Sequence, residues 1–251
     1  MAASFALTVP EGSHQRGRKR LLWLLAGLAF INVVFLLQSR TAYLIVAPLL
    51  LYWVWRLIGG RGAGWRGVAL GALVLSLIGA AAWQTPRVQE RLAQAREDVS
   101  LYAGKGEATS MGIRLELWQR TLPIIAAAPL FGHGLGQWPA QYQVQIKGYT
   151  DAYAAFVMGH PHQEALLILS EQGAVGLAVF VLLLALLVAY SRRLAPPHRD
   201  FFTCLVLVYV TAGLANCLLQ DFSHRHVFLM LLACIPVLPK LDPLNRPTEK
   251  I

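Results

Sequence analysis

Apolar runs near the bilayer-spanning length of about 20 residues recur along this chain at roughly 21–38, 41–58, 67–83, 163–190, 201–220 and 226–240. Of its 251 residues 56% are hydrophobic and only 14% charged, which is more apolar than a soluble domain of that length. The expectation is an all-α, polytopic membrane protein with about six transmembrane helices, the last of them short.

The formal net charge of +9 raises nucleic acid as a partner, but its distribution points elsewhere. Lys and Arg gather at Arg16, Arg18, Lys19 and Arg20, at Arg56, Arg61 and Arg66, at Arg192, Arg193 and Arg199, and at Lys240, Arg246 and Lys250. All four clusters fall on one side of a six-span arrangement, and the short connections opposite hold only Arg40 and Arg225. That bias marks the cytoplasmic side, so the basic balance is a topology signal and nucleic acid is not an expected partner. Cys204, Cys217 and Cys234 lie in apolar runs without ligand spacing and read as packing residues. The opening RGRKRLLWLLAGLAF resembles a signal peptide, yet no small-residue cleavage site follows, so it reads as a retained helix.

With the N-terminus inside, the chain divides into transmembrane helices over 1–83, a periplasmic helical segment over 84–162, and transmembrane helices with a cytoplasmic tail over 163–251. In the middle segment TPRVQERLAQAREDVSLY predicts a polar helix opening at Pro86. IRLELWQRTLPIIAAA predicts a more amphipathic one suited to the membrane surface. PLFGHGLGQW, with Gly132, Gly134 and Gly136, is not a dinucleotide fingerprint and follows a helix, not a strand, so a backbone turn is expected.

Arg40, Arg114 and His162 then share the outer side. Each has a plain reading: Arg40 as a snorkelling anchor, Arg114 as the partner of Glu116 or another carboxylate on an exposed helix face, His160 and His162 as interfacial residues capping the next helix. Together they offer a base with an ordinary pKa near about 6.5 beside guanidinium groups that bind phosphate bidentately, the set that glycosyl transfer from a lipid pyrophosphate needs. His224-Arg225-His226 makes a poor metal site because an arginine separates the imidazoles, and no metal or other cofactor is expected. Asp221 beside it reads as a surface residue. Glu164 borders His162, whereas Glu171, more than two turns deeper, reads either as a paired or functional carboxylate or as a contact to another helix, and stays outside the catalytic set.

His162-Gln163, nine residues, Gly173, two residues and Gly176 resemble the signature of the O-antigen ligase family, the WaaL-like branch of the O-antigen ligase and polymerase superfamily. QSRTAYL around Arg40 is similar to the family's SRT segment. GIRLELWQRTLPIIAAAPLFGHGLGQW is similar to its R-x-x-x-W helix followed by PLFGxGxG. The likeness covers about residues 20–240 and corresponds to the C-terminal half to two thirds of a usual member, which has about twelve spans. It implies an inner-membrane glycosyltransferase, inverting and metal-independent, that moves a polysaccharide from undecaprenyl pyrophosphate to the lipid A core at the periplasmic face. It further implies that Arg40 and Arg114 hold the pyrophosphate and that His162 acts on the acceptor hydroxyl as base or orienter, with His160, Gln163 and Glu164 in support. An O-antigen polymerase or a protein O-oligosaccharyltransferase shares the donor and differs in acceptor, and an inactive membrane remnant keeps the same motifs as structure.

Overall fold

The computed structural model describes residues 40–57, 83–103, 108–148 and 159–233, with isolated helical positions between 17 and 31 and between 65 and 80. Among them are seven helices: α1 (Arg40–Leu57), α2 (Pro86–Ala103), α3 (Ser110–Ala127), α4 (Trp138–Ile146), α5 (Glu164–Ser191), α6 (Pro196–Gly213) and α7 (Phe222–Ala233), and no strand. The all-α expectation holds for these residues.

The spans are described less completely. The 28-residue α5 is long and apolar enough to cross a membrane, and Leu44–Arg56 within α1 is a shorter apolar helix. The expected spans at 21–38 and 67–83, and the end of the one at 226–240, lie largely outside the described residues. The run at 201–220 departs from a continuous helix: α6 stops at Gly213 and the chain turns through 214–221 before α7. A side chain at Gly213 would bring its Cβ to 3.3 Å from that of Glu164 at the start of α5.

The chain forms two compact units. One contains the second part of α5, α6 and α7; there Leu194 and Phe202 are buried, with Leu187, Tyr190, Leu205 and Leu232 packed on them. The other runs over Leu50–Val179 and Gly213–Cys217. In it α2 opens on Pro86, whose missing N–H costs nothing at a helix start. α3 begins at Thr109, whose hydroxyl accepts the Gly112 N–H at 3.1 Å as an N-cap. Leu117 and Ile124 of α3, Trp138 and Tyr142 of α4, Leu167 of α5 and Cys217 form its core. Trp138 is fully buried and stacks on Tyr142 at 4.7 Å; its indole N–H donates to the Thr121 hydroxyl at 3.0 Å.

The loop between α3 and α4 locks into a break in α5. Gly173 has φ 66 and ψ −167, which interrupts the helix. In an unbroken helix the Ala174 N–H would donate to Ser170 and that of Val175 to Glu171. Here the four groups turn to the loop instead: His133 N–H donates to Ser170 at 3.0 Å, Gly134 N–H to Glu171 at 2.8 Å, Ala174 N–H to Pro129 at 2.8 Å and Val175 N–H to Leu130 at 3.2 Å. The backbones approach so closely that a Cβ on Gly132 would lie 2.3 Å from the Glu171 carbonyl carbon, and one on Gly173 the same distance from that of Leu130. The turn expected at Gly132, Gly134 and Gly136 is present, with positive φ at all three.

Gly136 supplies an internal control, since its φ is also positive but open space surrounds its missing Cβ. Gly136→Ala is expected to cost about 1–2 kcal/mol for backbone strain alone. Gly132→Ala and Gly173→Ala, which also collide with backbone, should cost clearly more, read as a larger fall in the unfolding midpoint of the purified protein in detergent.

Candidate active site

His162 lies in the tight turn that feeds α5, and three neighbours shape that turn. Pro161 before it is buried, and its carbonyl accepts the Trp118 indole N–H at 2.9 Å. The Gln163 side-chain oxygen accepts the Leu166 N–H and caps α5. His162 itself has φ 54, the left-handed region that an L residue occupies only when its surroundings impose it. Its own N–H donates to His160 Nδ1 at 3.2 Å, and the two rings meet edge to face at 4.3 Å.

Arg114 and Trp118 stand four residues apart on α3, hence on one face. Trp118 pins the histidine turn while the Arg114 guanidinium acts electrostatically on the His162 ring. Burial, more than anything else, holds the His162 pKa below its ordinary 6.5; the hydrogen bond to Asn216 opposes this and repulsion from Arg114 adds to it. The imidazole is therefore neutral at neutral pH, the form that can take a proton. Glu116, considered from the sequence as a partner for Arg114, is engaged by the Arg120 guanidinium and by the Tyr102 hydroxyl at 2.7 Å.

The other residues singled out from the sequence separate by role. Arg114, His160, His162, Gln163 and Glu164 come together at the start of α5. Glu164 is buried in its first turn, where a carboxylate favours the positive end of the helix. Arg40 is the first residue of α1, and its side chain lies outside the described residues. Glu171 is structural: its Oε1 accepts the Trp138 N–H at 3.2 Å at the start of α4. Asp221 caps α7 by accepting the His224 N–H at 3.0 Å and meets that histidine's Nδ1 at 2.7 Å, whereas His226 Nδ1 turns to the Phe222 carbonyl.

Trp118 entered the sequence reading only as the tryptophan of the R-x-x-x-W motif, without a role, and one residue at the site escaped it altogether. Asn216, whose Oδ1 lies 3.3 Å from His162 Nδ1, is 54 residues away in sequence, and its only mark was an amide inside an apolar run.

The family described as O-Antigen ligase matches residues 24–181, so this chain belongs to the O-antigen ligase family. That is a family of inner-membrane proteins of lipopolysaccharide biosynthesis. A curated relative, an uncharacterized protein of Haemophilus influenzae, is 26% identical over 122 residues, covering 48% of this chain and 31% of the relative. The chain thus matches about a third of that relative's length.

Replacing Arg114 with Gln removes a like charge from the His162 imidazolium, so the titration of His162 should move to higher pH. The shift should be modest because burial is the larger cause. Histidine NMR of the isotope-labelled protein would follow it; a titration unchanged or moved to lower pH would contradict the placement of Arg114. Trp118→Phe keeps the ring but loses the bond to Pro161. It is expected to cost about 1 kcal/mol and to broaden the His162 resonance.

Proposed function

We propose that this chain is a glycosyltransferase of the O-antigen ligase type, moving a polysaccharide from undecaprenyl pyrophosphate to a hydroxyl of the lipid A core at the periplasmic face of the inner membrane. The observation that carries the reading is the His162 turn at the entry to the long apolar helix, tied through Trp118 to the helix that carries Arg114, where burial lowers the pKa of the imidazole. On this reading 84–162 is the periplasmic segment, the start of α5 faces the periplasm, and α5 is one of several spans.

In the reaction, an acceptor hydroxyl oxygen attacks the anomeric carbon of the donor sugar and forms the new glycosidic bond. The bond from that carbon to the pyrophosphate oxygen breaks, and its electron pair leaves with undecaprenyl pyrophosphate. The hydroxyl proton passes to His162, whose imidazolium afterwards releases it to water. Attack opposite the leaving group inverts the anomeric centre. Arg114 and Arg40 bind the pyrophosphate and offset the negative charge that grows on it, normally the largest requirement when a charged group departs; because two guanidinium groups carry that charge, the scheme needs no metal ion. A base positioned at the acceptor hydroxyl is worth about 10²–10⁴-fold. His160 and Gln163 support the base by fixing its turn. The exposed apolar tips Leu130, Phe131 and Leu135 of the glycine loop face the bilayer that presents both lipid-anchored substrates.

The test is a lipopolysaccharide gel from ligase-deficient cells expressing the native chain, His162→Ala or Arg114→Lys, matched for membrane level. The native chain is expected to restore the O-antigen ladder. His162→Ala should lose it by at least about 10²-fold, and Arg114→Lys should weaken it because lysine lacks the bidentate fork. A ladder of equal strength from His162→Ala would overturn the assignment. A ladder absent from all three, with an extended glycan on another acceptor in the native strain alone, would assign a polymerase or protein oligosaccharyltransferase instead.

A further inference from the structure

Asn216 lies in the turn after α6, outside the 24–181 region that matches the family. Its side-chain oxygen meets two groups at once: the backbone N–H of Cys217 at 3.2 Å and His162 Nδ1 at 3.3 Å. The first contact decides the second. A backbone N–H can only donate, so the amide atom facing it is the oxygen, an acceptor. An acceptor toward Nδ1 requires that Nδ1 carry the ring proton, and a neutral imidazole with its proton there has its lone pair on Nε2.

We propose that Asn216 is a positioning residue that holds His162 in the Nδ1–H tautomer and so presents Nε2 as the base. The proposal deepens the transfer reading above and rests on it for the meaning of Nε2, but the tautomer itself is independent of any activity. Asn216 does not touch substrate in this account; it acts through the histidine. The amide suits the task because it is uncharged: it orients the ring and, unlike a carboxylate, does not hold the imidazolium so tightly that the base stays protonated. This also accounts for the interruption of the apolar run at Gly213, since a helix continued through 214–217 would not form the turn that brings this amide to the ring. Among the described residues, the other ionisable groups around His162 are Arg114 from α3, His160 in the same turn, Glu164 from α5 and the Cys217 thiol, which lies against the backbone of His162 and Gln163.

The experiment is nitrogen NMR of the full chain labelled at histidine, with His162 assigned by loss of its signals in His162→Gln, across a pH series. The native chain should show His162 with protonated Nδ1 and bare Nε2 above its titration. Asn216→Asp keeps both acceptor contacts and adds a negative charge, so it should raise the proton affinity of the ring about tenfold or more. Asn216→Leu should leave a mixture of tautomers. In the lipopolysaccharide assay Asn216→Leu should reduce transfer about 10²-fold, the low end of what a positioned base contributes. Asn216→Asp should instead move the acid limb of the pH profile upward, a change that loss of packing alone does not produce.

A native His162 protonated on Nε2 overturns the proposal without any variant being made, and so does a tautomer and titration unchanged in both variants. If the tautomer is as stated but the native chain transfers no glycan to any acceptor, the transfer reading fails and the positioning role of Asn216 stands.

Discussion

Where α5 breaks at Gly173, two carbonyls and two amides of a long apolar helix lose their partners within that helix, and each would cost about 1–3 kcal/mol if left buried and unbonded. The loop from Pro129 to Gly134 supplies all four replacements. The rest of this unit follows from that exchange. It fixes the loop against α5, the loop fixes where α3 ends and α4 begins, and Glu171 next to the break caps α4 through Trp138. α3, held in this way, carries Arg114 and Trp118 to the mouth of α5, where Trp118 binds the turn that holds His162.

Three sequence motifs separated along the chain are thereby parts of one device. The glycines of PLFGHGLG and the first glycine of GxxG are the two halves of a single close backbone approach, which is why both sites exclude a Cβ. The tryptophan of R-x-x-x-W serves the histidine turn, and the arginine tunes the ring. A strained φ at His162 is affordable because Trp118, His160 and the Gln163 cap determine the turn from three sides. Burial then keeps the ring neutral, and Asn216 sets which nitrogen is bare.

Much of this was legible in the sequence, and the limits have physical causes. The helices at Pro86 and over IRLELWQRTLPIIAAA, the glycine turn, the long run behind His162 and the nearness of Arg114 to His162 follow from local pattern or from motif resemblance. The cap that Glu171 places on α4 was not visible in the sequence because that bond spans 33 residues. The run at 201–220 looked continuous because hydropathy does not register a turn made by residues as apolar as the helix before it. Asn216 was missed for a related reason: one amide among apolar residues has no periodicity, and its meaning comes only from the partner it meets in three dimensions. The six-span count rests on composition, and among the described residues α5 is the helix that meets the length and hydropathy of a span.

The central claim is that the His162 turn, tied through Trp118 to the helix of Arg114, marks where a lipid pyrophosphate is received. The most direct measurement is a structure of the full chain in a lipid nanodisc with undecaprenyl pyrophosphate added. The account predicts pyrophosphate density on the Arg114 guanidinium, with His162 Nε2 facing open space beside the phosphate where an acceptor hydroxyl can enter. Pyrophosphate held at a place remote from both residues, or His162 Nε2 donating to a protein carbonyl, would contradict it.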